Sequence, residues 1–180
     1  MSGGPGGPDD DDDDEARYAL AADEDLARVV LEAARLEAAN LDRVLRGMMS
    51  GGALIVRALR GVRLPLVRAD LCTPYAVRLS GLVAAVEPGW WKGPEPRGAE
   101  FERWRDELAL LAPIGFKPLP GVRYPARYRQ ARAGAVALAG VLGRVPGWWV
   151  IEPDCWADGT SVVRLTCTPG GASQLADALS

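Results

Sequence analysis

WWVIEPDCWADGTSVVRLTCTP, residues 148–169, is the stretch that decides the fold. WWVIEP (148–153) and SVVRLTC (161–167) are rich in β-branched and aromatic residues, which suit a pleated, half-buried surface. Between them stands Asp158-Gly159, a pair that supplies the positive φ of a hairpin turn, in a connection longer than two residues. Thr168-Pro169 then reads as an N-cap followed by proline at the first helical position. It opens a short helix carrying Ala172, Leu175, Ala176 and Leu179. A hairpin feeding a helix is an α+β element.

The same element occurs earlier in the chain. VRADLCTPYAVRL (67–79) resembles VRLTCTPGGASQL (163–175), each a strand leaving through Cys-Thr-Pro into a helix. AVRLSGLVAAVEPGWW (76–91) also resembles AVALAGVLGRVPGWW (135–149), and LRGVRLP (59–65) resembles LPGVRYP (119–125). ALIVRAL (53–59) and VRLPLVRAD (62–70) read as a first hairpin, with Pro65 pointing to an edge strand or a bulge. Leu26, Val30, Ala33, Leu41, Val44, Leu45 and Met48 recur at helical spacing, predicting a helix over 23–46 capped by Asp23 or Asp25 and stopped by Gly47. Val29 and Leu36 lie off that stripe and form a second apolar face, for packing or for a partner helix. Further helices are expected from Thr73 to about Val86, from about Ala99 to Leu111, and from near Pro125 to near Val145. The expectation is an α+β domain over 22–180. Two α-β-β-α halves, 22–87 and 125–180, build a small antiparallel sheet covered by helices, with an inserted segment, 88–124, that carries a helix.

Ahead of this domain stands a Gly-, Pro- and Asp-rich segment, and residues 1–21 read as a disordered acidic tail. The first fifteen residues hold seven of the 24 acids and no base, so the other 165 residues carry 21 bases against 17 acids. The net charge of −3 belongs to the tail, and the body is mildly basic. The tail serves either as a solubiliser or as an electrostatic lid over a basic surface.

Composition excludes much chemistry. There is no histidine, which removes the commonest general base and metal ligand. The three cysteines, Cys72, Cys155 and Cys167, fit neither a disulfide framework nor a CxxC metal pair. No GxxxxGK[ST], no strand-borne GxGxxG, no GxSxG and no HExxH is present, so no cofactor or metal is expected. The longest apolar run, Ala133 to Gly143, falls well short of the ~20 residues that span a bilayer. The opening residues lack a basic and an apolar region, so a cytoplasmic protein with reduced thiols is expected. Nineteen arginines against two lysines, amid abundant Ala, Gly, Pro and Val, have the look of a high-GC bacterial genome.

Two constellations stand out. The tryptophan doublets Trp90-Trp91 and Trp148-Trp149 each follow a Pro-Gly, and on a strand one ring of each should enter the core while the other faces out. Outward tryptophans suit a protein-binding hot spot. RYPARYRQAR (123–132) gathers Arg123, Tyr124, Arg127, Tyr128, Arg129 and Arg132, bases and aromatics that suit phosphate contact and base stacking. Helical geometry splits this set, with Arg129 near Arg132 and Arg127 well round from both. Glu152, Asp154 and Asp158 lie near one hairpin and could serve an enzyme together with a cysteine. The reading favoured is a non-catalytic adaptor acting through protein–protein contacts. The alternative is a nucleic-acid-associated regulator gated by the acidic tail, and homodimerisation stays open.

Overall fold

A computed structural model describes residues 11–49, 54–60, 64–86, 124–142 and 149–180, of which 11–23 and 124–125 in backbone only. The inserted helix expected at 99–111 lies outside the described residues, as do residues 1–10.

The elements are helix α1 (Asp11–Met48), strands β1 (Leu54–Arg60) and β2 (Pro65–Cys72), helices α2 (Thr73–Ala85) and α3 (Tyr124–Leu142), strands β3 (Trp149–Cys155) and β4 (Ser161–Cys167), and helix α4 (Pro169–Leu179). The order α-β-β-α thus runs twice, and the fold is mixed α+β. The four strands form one antiparallel sheet in the order β1-β2-β4-β3. The two hairpins meet through their second strands, so β2 and β4 are central and β1 and β3 are edges.

Side chains alternate across the sheet. Leu54, Val56 and Ala58 on β1, Val67, Ala69 and Leu71 on β2, Val163, Leu165 and Cys167 on β4, and Trp149 and Ile151 on β3 share the face packed with the helices. Leu41, Leu45, Leu79, Leu138, Leu142 and Leu175 meet them from α1, α2, α3 and α4. Helix packing crosses between the halves: α1 lies against α4, and α2 lies against α3.

Two boundaries differ from the sequence reading. Helix α1 starts at Asp11 rather than at Asp23, so residues 11–21 of the segment expected to be disordered have helical backbone. Alanines at 16, 19, 21 and 22 favour helix, and acids near a helix start suit its dipole. Pro65, read as a mark of an edge strand or bulge, is instead the first residue of the central strand β2. It pairs with Arg60, and β4 begins pairing only at Val67, so the missing N–H costs no central ladder bond.

The C-terminal hairpin follows its sequence signals. Gly159 holds φ 85°, a region where a Cβ is strained. Thr160 N donates to Asp158 Oδ1 at 2.8 Å, and this bond holds the Asp158 carboxyl below its ordinary range. Thr168 caps α4, its Oγ1 accepting from Gly171 N at 3.0 Å.

Candidate functional site

Trp149 begins β3 on the helix-packed face, opposite Cys167. It is half-buried against the core, and its ring passes so close to α4 that a Cβ on Gly171 would meet it at 3.5 Å. Trp149 is the inward ring of its doublet. Trp90, Trp91 and Trp148 lie outside the described residues.

The arginine-rich segment opens α3. Arg127, Tyr128, Arg129 and Arg132 are all exposed. Tyr128, Arg132 and Val136 follow one another at four-residue spacing, with Arg129 beside them, so these four share the outer face. Arg127 stands apart and donates from Nη1 to Gln130 Oε1 at 3.3 Å. Arg123 and the Tyr124 side chain lie outside the described residues.

The second face of the sheet carries charge. Arg57, Arg68, Asp70, Arg164, Glu152 and Asp154 share it, with Asp70 opposite Arg164 and Arg164 opposite Glu152. Asp70 Oδ1 accepts from Arg68 Nε at 3.0 Å and from Arg164 Nε at 3.3 Å, and Asp70 Oδ2 lies 3.9 Å from Arg57 Nη2. Arg164 also donates from Nη2 to Asp154 Oδ2. Burial pulls the Arg68 guanidinium below its ordinary value, partly offset by its bond to Asp70. Three guanidiniums face three carboxylates here, so the cluster is balanced and has no surplus charge with which to hold an anion. Its effect is on register, because slipping either strand by one residue would move these groups into the core.

The cysteines are free thiols. A nucleophilic thiol needs a lowered pKa. Burial pushes Cys167 up to about 12, and burial, then Asp154, raises Cys155. Both shifts oppose thiolate chemistry. Among the described residues no three His, Cys, Asp or Glu side chains converge as metal ligands would, and no helix is long and apolar enough to cross a membrane.

The N-terminal half of α1 presents what tryptophan counting passed over. Among the residues of α1 whose side chains are described, from Glu24 on, buried core residues begin at Ala34. Ahead of it and beside it, Leu26, Val29 and Leu36 are 62%, 63% and 71% exposed. With Ala33, also exposed, they are spaced three, four and three residues apart, one line along the helix. Single exposed leucines are ordinary, whereas an aligned set is a patch. The signal was present in the sequence as the second apolar face at Val29 and Leu36. Tertiary packing alone decides which of the two faces turns inward.

Asn40 continues the line and ends it: it is half-buried, and its Oδ1 accepts from Arg43 Nη2 at 2.7 Å. The border positions beside the line are Asp25 and Glu32 on one side and Val30 and Glu37 on the other. Asp25 is paired with Arg28 at 2.6 Å, and Glu32 with Arg35, all four side chains more than half exposed. The surface is an apolar line with acidic borders on the part of α1 that runs ahead of, and just into, its core-packed segment. No family model, curated protein or solved structure matches the chain.

Proposed function

We propose that the protein is a non-catalytic binding protein that acts through protein–protein contacts, with the outer face of α1 as its contact surface. The observation that carries this reading is the line of Leu26, Val29 and Leu36, each more than 60% exposed. Fully covering a side chain of this size contributes about 1.5–3 kcal/mol. Three in a row, each already about a third covered, offer roughly 3–6 kcal/mol, a share of the cost of association that the partner's own apolar residues complete. The raised thiols of Cys155 and Cys167 and the balanced Arg-Asp cluster favour a binding role over catalysis. Trp149 packs inward, as expected of one ring of each doublet, and Trp90, Trp91 and Trp148 lie outside the described residues, so the contact surface proposed is the described face of α1. Free thiols suit a cytoplasmic setting, which is part of the proposal.

The test compares proteins retained from a native lysate by the full chain and by the Val29→Ser, Leu36→Ser double variant, after circular dichroism has verified equal folding. A partner held by the first and lost by the second supports the reading. Identical captures end it.

A second reading rests on Tyr128, Arg129 and Arg132, exposed together on α3. A tyrosine beside two arginines can stack on a base while the guanidiniums meet phosphates, with the acidic segment competing for them. Gel shifts with single-stranded and duplex DNA and with RNA at two salt concentrations test it. Binding at low salt, lost in Arg129→Ala with Arg132→Ala, supports it; no shift at low salt ends it.

A further inference from the structure

The borders of the α1 line specify the chemistry of what covers it. Resting on the reading of α1 as the contact surface, we infer that the line takes an amphipathic helix of about three turns with lysine or arginine along both of its borders.

Leu26, Val29, Ala33 and Leu36 stand at the alternating three- and four-residue spacing of a coiled-coil seam, where a facing helix inserts its own apolar residues. The seam is about 15 Å long at 1.5 Å per residue, and the half-buried, hydrogen-bonded Asn40 closes it, which sets the partner at about three turns. In such a seam the border residues choose the partner. Here they are Asp25, Glu32 and Glu37, with Val30 as the neutral fourth and no base among them. Arg28 and Arg35 stand one position further out. Their pairs with Asp25 and Glu32 are exposed and loosely held, so a cation brought against the seam can take over either carboxylate.

A second copy of the chain fits poorly. In a parallel pair Glu32 of each helix meets Glu37 of the other. In an antiparallel pair with Leu26 over Leu36, Glu32 meets Glu32. Acid meets acid either way, whereas a basic border meets it with the opposite charge throughout.

Fluorescence anisotropy with the full chain and three labelled synthetic peptides of about two heptads, enough for the three-turn seam and its ends, tests this. One has a leucine seam bordered by lysine, one the same seam bordered by glutamate, and one the residues of the lysine peptide in scrambled order. The lysine-bordered helix should bind at least about tenfold more tightly than the other two. Val29→Ser with Leu36→Ser should cost it that factor, and Glu32→Lys with Glu37→Lys should reverse the preference. A scrambled peptide that binds equally well reduces the effect to charge alone and overturns the inference. A glutamate-bordered helix that binds as tightly, and is lost in the serine variant, overturns the basic border and leaves the contact surface standing. Lysine-helix binding indifferent to the serine variant overturns the seam itself, and so does failure of every peptide to bind. Sedimentation of a dimer that the serine variant dissociates overturns the inference in favour of a second copy.

Discussion

Arg68 and Arg164, on the two central strands, bring the same atom to the same oxygen: each Nε donates to Asp70 Oδ1, at 3.0 Å and 3.3 Å. The three side chains are almost wholly buried. Removing one member of a buried charge group leaves the others desolvated and uncompensated, at a cost of about 3–5 kcal/mol. Asp70→Asn keeps the shape and removes the charge, so it should lower stability by about 3 kcal/mol. Urea unfolding measures it; a loss under 1 kcal/mol would show that the two guanidiniums do not depend on this carboxylate.

Leu36 and Leu41 stand little more than one helical turn apart and face different surroundings, 71% and 0% exposed. Leu41→Ala should cost about 3 kcal/mol, the usual loss for a buried leucine. Leu36→Ala should change stability by no more than about 0.5 kcal/mol, as exposed substitutions do. Equal losses at the two sites would mean that the outer face of α1 is covered within the chain and is unavailable to a partner.

Gly134 marks a close approach of α3 to β4 and to the start of α2. A Cβ there would lie 3.1 Å from both Thr73 Cγ2 and Val163 Cγ2, two γ-branch methyls on stiff side chains. Gly134→Val should destabilise by about 1–3 kcal/mol through overpacking. Gly140, on the same helix with open space around it, should gain about 0.5–1 kcal/mol from alanine. Thermal unfolding of the two variants checks the contrast, and a stabilised Gly134→Val would refute the close approach.

Cys167 makes stability depend on alkaline pH. Its thiol is buried, and its pKa is raised from the ordinary 9.0 to about 12. The folded state therefore keeps the proton where the unfolded state loses it. The contribution is complete below pH 9 and is lost as pH rises toward 12. Cys167→Ala should flatten that decline in chemical denaturation series. Maleimide labelling of the native protein at pH 8 should reach the half-buried Cys72 first and leave Cys167 unmodified, and rapid labelling at Cys167 would contradict its burial.

Much of the fold was legible because local signals agreed with the final packing. SVVRLTC (161–167) coincides with β4, Asp158-Gly159 makes the turn, and Thr168 caps the last helix. Pro65 misled because its position along a strand matters more than its presence, and only the register shows that β4 pairs beyond it. The Arg68-Asp70-Arg164 cluster could not be read for the same reason. Arg68 and Asp70 are two residues apart, but Arg164 reaches them only once β2 and β4 are set side by side. Trp149 follows this logic too: its pairing with Cys167, which the doublet alone does not give, places it on the helix-packed face. For the α1 surface, the sequence showed a main apolar stripe and Val29 and Leu36 off it, but Leu26 and Ala33, read as part of the stripe, are exposed with them, because the helix packs against α4 and β1 only further along.

The crossed packing of the helices governs the order in which this chain can fold. Helix α1, in the first α-β-β-α unit, finds its helical neighbour in α4, at the end of the second, and β2 waits for β4 before its second ladder can close. A nascent chain that has completed only its first α-β-β-α unit has one flank of α1 and one edge of β2 without their final neighbours. Ordering of the first unit therefore waits for the second, and contacts so distant in sequence slow it. Truncation within Pro169–Leu179, which form α4, would strike helix α1 as directly as the β3–β4 hairpin.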